Sequence, residues 1–255
     1  MLRLTIVVVC VAAIVAGGAV IASGPGARLG VWDYGDGFGI MRAVAPYALG
    51  LSAASFAALA VSVFRARALV PLALGAALIA GVAGYVPIKM RELVAAHPFI
   101  HDVTTDFENP PAIIAAADLP RKNPTAYVGA EQAPRADEGV TVADAQRAAF
   151  PQIAPLYFEA SAEDIAQAAK DVLGSMGMKI LDEYDTEAGY AIEASYTSLW
   201  YGFVDDFIVR IQPSDDGRMR VDLRSKSRVG GSDLGANGRR VLTFSSKLRS
   251  KLERG

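Results

Sequence analysis

A chain of 255 residues that is 52% hydrophobic and 20% charged is too apolar for one ordinary water-facing domain, so the excess must be concentrated somewhere. Its net charge of −2 conceals an uneven distribution, and its single cysteine, Cys10, excludes a disulfide within the chain.

The apolar excess lies in the first ninety residues. Runs 4–22, 45–64 and 68–88 are uncharged, and each has the length of about 20 residues that crosses a hydrocarbon core of about 30 Å. They predict a membrane domain, 1–88, of three transmembrane helices. For the first run a cleavable signal peptide is a second reading, because Arg3 precedes it and small residues follow at 20–23. Arg65 and Arg67 flank a tight connection without acids. By the positive-inside rule that connection is cytoplasmic, and everything after residue 88 is extracytoplasmic, or periplasmic at a bacterial-type inner membrane.

Residues 89–150 are rich in proline and polar groups without sustained period, which predicts an extended arm or linker broken only by a short helix at 142–150 behind Thr141. His97 and His101, the only histidines, stand four apart with Asp102 and Asp106 close behind. On a helix they would face one metal ion, but Pro98 favours an extended segment and leaves them weak candidates.

From 151 to 255 the pattern is that of a folded domain. Ser161 caps a helix bearing Ile165, Ala169, Val172, Leu173 and Met176, and a last helix carries Val241, Phe244, Ser245, Leu248 and Leu252 inward. Between and before them five alternating runs read as strands. The expected order is β-α-β-β-β-β-α, an α+β fold with an antiparallel sheet and both helices on one face.

Alternation assigns the last two strands to faces. Asp205, Phe207, Val209 and Ile211 point inward with Val221, Leu223, Ser225 and Ser227, while Asp206 and Arg224 point outward. Pairing Gln212 with Arg218 across "PSDDG" sets Asp205 opposite Ser225. A carboxylate at the margin of an apolar face needs partners, expected among Ser225, Ser227 and Arg228. Ser232 or Asp233 is placed to cap the last helix. A closed polar cluster of Asp205, Asp206, Arg224, Ser225, Ser227, Arg228, Ser232, Asp233, Asn237 and Arg240 is thus structural, whereas an open one would bind a small anion or lipid headgroup, or serve a membrane-surface hydrolase or transferase.

Charge adds a second expectation. Residues 92–200 carry 18 acidic and 6 basic side chains, but 201–255 carry 7 acidic and 12 basic. Arg218, Arg220, Arg224, Lys226 and Arg228 outnumber the outward acids Asp206 and Asp222, so this face is expected to remain partly unpaired. It would then dock on anionic lipid, on a protein partner or membrane complex, or on the chain's own acidic arm. Aromatics interleaved for base stacking are missing, so no nucleic acid is expected. No phosphate loop, nucleophile elbow or Cys/His pair is present, so no cofactor and no catalytic residue is assigned.

"TSLWYGFVDDFIVRI" followed by "VDLRSKSRVGGSDLGANGRRV" resembles the domain of unknown function family 1499. The matching residues are Gly202, Phe203, Asp205, Asp206, Arg210, Arg224, Ser225, Ser227, Arg228, Gly230, Ser232, Asp233, Leu234, Gly235, Asn237 and Arg240, and "HDVTTDFENPP" is similar to the segment preceding the domain in longer, membrane-anchored members. The resemblance implies no reaction. Where many shorter members carry a cysteine-containing segment, this chain reads "KNPTAYVG", so any role of that cysteine is absent here. The expectation is a membrane-anchored, non-enzymatic binding or assembly module.

Overall fold

A computed structural model describes residues 1–253; the last two, to which the expected domain extends, lie outside the described residues. The chain forms two compact units. One comprises Met1–Glu92 with Leu199–Gly202, the other Leu93–Ser198 with the chain from Phe203 onward.

The first unit holds α1 (Leu2–Arg28), α2 (Tyr34–Arg65) and α3 (Val70–Ala96, whose last turn passes into the second unit), with a 3-10 turn at Arg67–Leu69. All three helices are long and apolar enough to cross a membrane. Each outruns its apolar stretch, because the backbone ladder continues through polar turns and past Pro25, Pro46 and Pro87. Small side chains let the helices approach: Cys10, Ala13, Ala48, Ala73, Ala76 and Ala80 are buried together, and Ser52 Oγ donates to the Ala77 carbonyl at 2.7 Å. Leu4, Val8, Val15, Phe64 and Val82 point outward, as lipid contact requires.

The second unit contains β1 (Asp102–Thr104), α4 (Val142–Ala149), β2 (Leu156–Phe158), α5 (Ala162–Ser175), β3 (Lys179–Thr186), β4 (Gly189–Thr197), β5 (Val204–Pro213), β6 (Met219–Ser227) and α6 (Ala236–Leu252). The sheet is antiparallel in the order β1-β6-β5-β4-β3, and β2 shares the outer edge of β6 with β1. Ser161 and Thr141 cap α5 and α4 by accepting from the backbone N–H three residues on, with Asp144 completing a capping box at Thr141. Ile165, Ala169, Val172 and Leu173 of α5 and Val241, Phe244 and Leu248 of α6 pack on Ile192, Ala194, Phe207, Val209, Ile211, Val221 and Leu223. Both helices therefore lie on one sheet face, and residues from β2 onward follow the expected α+β order.

Two expectations change. The β5–β6 hairpin pairs Gln212 with Arg220 and Asp205 with Ser227, two residues from the expected register. The loop has the expected five residues but starts one later, at 214–218, closed by Ser214 N–H donating to the Arg218 carbonyl. A shift of two leaves every side chain on its assigned face. Residues 93–150, moreover, are no separate linker. Ile100, Val103, Val128, Ala133, Val142 and Phe150 enter the main core, and Ile113 and Ala116 cover Ile208 on the opposite sheet face. That face carries Asp222, Arg224 and Lys226, and the arm supplies their partners.

Candidate functional site

The polar residues singled out in the sequence divide between the two faces of β5 and β6. On the helix side, Asp205 is bound by a residue from α6. Arg240 Nη2 donates to Asp205 Oδ2 at 2.8 Å, and Nη1 donates to Asn237 Oδ1 at 2.6 Å and Ser225 Oγ at 3.1 Å. Ser225 Oγ also donates to Asn237 Oδ1, and Asn237 Nδ2 donates to Ser227 Oγ and to the His101 carbonyl. The Arg240 guanidinium lies 4.6 Å from the centre of the Tyr196 ring. Asp205, Ser225, Ser227, Asn237 and Arg240 are all at least nine-tenths buried, so the cluster is closed. Arg240, one member of the expected cluster, is held inward from α6 by this carboxylate.

Asp233 anchors the start of α6. Its two carboxylate oxygens accept from the Gly235 and Asn237 N–H groups at 2.8 and 2.7 Å, while Ser232 Oγ accepts from Leu234 N–H at 3.3 Å. Burial raises the Asp233 carboxyl above its usual range, against the pull of those N–H groups.

The opposite face is an ion-pair layer. Asp102 of β1 accepts from Arg224 Nε and Nη2 at 2.9 and 2.8 Å and from Lys226 Nζ at 2.9 Å. All three side chains are essentially inaccessible, at 0%, 2% and 0% exposure. Backbone carbonyls complete the cations: Pro111 and Thr125 accept from Arg224, and Ala126 from Lys226. Asp106 and Asp222 together hold Arg210 and Arg220. Asp206 accepts from Arg228 Nε at 2.8 Å, with Arg121 Nη1 at 3.1 Å from its second oxygen. Burial, the largest influence on each, lowers the Lys226 ammonium and raises the Asp206 carboxyl despite its arginines.

The expectation of a partly unpaired basic face is therefore overturned. Arg218 binds Asp216 at 2.6 Å, and Arg220, Arg224, Lys226 and Arg228 are paired as above. Arg228 does not serve Asp205, since residues 205 and 206 point to opposite faces and their cations come from different elements. The grouping Asp205/Ser225/Ser227/Arg228 does not converge on one point.

The histidines are separated too. His97 stands just beyond α3, with Nδ1 at 3.1 Å from the Leu93 carbonyl and Nε2 at 3.1 Å from Arg239 Nη1. His101 is inside the fold, its Nε2 unpartnered. No group of three metal-ligating side chains occurs among the described residues. Asp102 and Asp106 are spent on arginine and lysine.

Sequence reasoning missed Arg121 and Glu193. The buried Glu193 carboxylate accepts from the N–H groups of Ile114, Ala115 and Ala116 at 2.6, 2.9 and 3.1 Å and from the Tyr184 hydroxyl at 2.6 Å, clamping the arm to β4. The one available signal was a glutamate inside an otherwise apolar alternation, "YAIEA". An open concavity lies at the far end of the sheet, a cleft of about 730 Å³, within the usual range of about 300–1,000 Å³ for ligand sites. Glu163, Gln167 and Lys170 of α5 line it with Asp185, Tyr190 and Met219.

Comparison with protein families matches residues 102–248 to the family described as "Protein of unknown function (DUF1499)". Comparison with curated proteins finds no match. The matched stretch starts at the carboxylate that holds Arg224 and Lys226 and ends at Leu248, the last fully buried side chain of α6. The chain belongs to the DUF1499 family, its family domain carried behind three apolar helices long enough to cross a membrane.

Proposed function

We propose that this protein is a membrane-anchored, non-enzymatic binding or assembly module, an accessory subunit whose extracytoplasmic domain docks a protein partner or membrane complex at a bacterial-type inner membrane. The observation that carries this reading is the mutual neutralisation of the polar groups that chemistry would need. Asp205, Asp206, Ser225 and Arg228 are committed to internal partners. Arg65 and Arg67 beside the α2–α3 connection support the orientation.

Of the charged residues that line the cleft, Glu163 and Asp185 are acidic and exposed, while Lys170 is engaged by Glu183 at 3.1 Å. Such a rim suits a basic protein segment and repels anionic lipid. Cross-linked affinity purification of the intact protein from membranes tests this. A partner that co-purifies with the wild type and is lost with Glu163→Arg/Asp185→Arg is expected; recovery of lipid alone, or a partner indifferent to the charge reversal, counts against it.

A further inference from the structure

We propose that Leu199 and Trp200, in the connection between β4 and β5, form a lipid-binding element seated at the boundary between headgroups and acyl chains. The segment Leu199–Gly202 clusters with Met1–Glu92 and not with the strands it joins. It is pinned along the end of α1: Arg28 Nη1 donates to the Leu199 carbonyl at 2.7 Å, Trp200 Nε1 to the Ile21 carbonyl at 2.9 Å, and the Tyr201 hydroxyl lies 3.1 Å from Ser23 Oγ. Tyr201 stacks on Phe38 of α2 with ring centres 4.6 Å apart.

The helix is shaped for this approach. A Cβ at Gly24 would come within 2.4 Å of the Trp200 indole, so only glycine fits there. Gly202 has φ of +73°, and a Cβ on it would meet the Arg28 side chain at 2.7 Å.

The contacts occur at a definite depth. The apolar run begins at Leu4, and at a rise of 1.5 Å per residue Ile21 lies about 26 Å along the helix, close to the far edge of a hydrocarbon core of about 30 Å. Tryptophan and tyrosine concentrate at that level because one end of each ring system is apolar and the other hydrogen-bonds. The Trp200 N–H is already satisfied, and its half-buried ring packs on α1 and edge-on to Tyr201 with centres 5.0 Å apart. Leu199, held by a bonded backbone, nevertheless has 85% of its surface exposed; Leu29 and Val31, in the α1–α2 connection, are 78% and 67% exposed. Three exposed apolar side chains lie in the connections at this end of helices long enough to span a membrane, and the partner such a position offers them is the bilayer.

The inference rests on the reading that the helices span a membrane, so the test probes both. In the full chain carrying Cys10→Ser, Leu199→Cys and, separately, Val15→Cys are labelled with an environment-sensitive fluorophore and reconstituted into phosphatidylcholine/phosphatidylglycerol vesicles. Val15, 64% exposed near the middle of α1, is the deep control. The probe at 199 is expected to be quenched at least twofold more by a nitroxide high on the acyl chain than by one near its end, and to resist aqueous iodide, with the reverse depth order at 15. Iodide quenching at 199 with lipid quenching retained at 15 overturns the proposal alone and leaves the spans intact. Shielding of 199 from both quenchers overturns it in favour of a protein cover, and loss of lipid quenching at both sites overturns the spanning reading with it.

Discussion

Replacing Asp102 by asparagine preserves side-chain shape and removes one charge, leaving Arg224 and Lys226 buried with backbone carbonyls as their remaining partners. Removing one member of a buried ion pair costs about 3–5 kcal/mol. The lower end is expected, because Lys226, already lowered by burial, can shed its proton, whereas the arginine cannot. The sign follows. A lysine whose folded pKa is below its unfolded value binds fewer protons in the folded state, so stability rises with pH through that window, and the deficit of Asp102→Asn should shrink as pH rises. A loss of about 3 kcal/mol corresponds to about 6–12 °C in melting temperature for a domain of this size. Two units in one chain make a global melt ambiguous, so the assay is hydrogen exchange of the β6 amides in the full chain. Lys226→Met should recover part of the loss in the Asp102→Asn background. A deficit under about 1 kcal/mol, or no recovery, would refute the view that this carboxylate is the counter-ion of the sheet's outer face.

On the other face, Asp205→Ala strands the buried Arg240 and should cost about 2–4 kcal/mol, read from exchange of α6 amides, while Ser227→Ala should cost about 1 kcal/mol. Burial, helped by Lys226 and opposed by Asp102 and Glu131, holds His101 below the usual histidine range; the unfolded state therefore binds the extra proton, and stability should fall as pH drops below about 6.5. Asp206 and Asp233, both raised, favour the folded state on acidification through a lower window, so the difference between wild type and His101→Asn, measured from pH 7.5 to 5, isolates the histidine. Alkaline phosphatase fused after Gly255 should be active, and a stable but inactive fusion would reverse the proposed orientation.

The parts of this fold that were legible in the sequence are those governed by near neighbours. Helix caps at Thr141 and Ser161 and strand faces such as Phe207/Val209/Ile211 need only a few adjacent residues to be read. The register of β5 and β6 was misplaced by two because "PSDDG" does not show at which residue the loop starts, although face assignment survives an even shift. That Arg240 in particular is the partner of Asp205, 35 residues away, was not legible, because Arg228 was the nearer candidate. Asp102 and Arg224 are 122 residues apart, a pairing that no local period encodes.

The charged face of β6 has the same origin. A sheet covered on both faces usually carries apolar residues on both, yet β6 presents Asp222, Arg224 and Lys226 to a buried side. An irregular arm, lacking the apolar periodicity of a helix, covers such a face by supplying carboxylates and backbone carbonyls at fixed points. Asp102, Asp106 and the carbonyls of Pro111, Thr125 and Ala126 do so here. These pairs contribute little net stability over an apolar layer of the same volume. They discriminate strongly between registers, because a one-residue slip of β1 along β6 would turn Asp102 away from Arg224 and Lys226 and bury three unpaired charges. A three-residue strand gains little specificity from its backbone bonds alone. The ion pairs therefore account for how a proline-rich segment of 93–150 finds one position on the sheet.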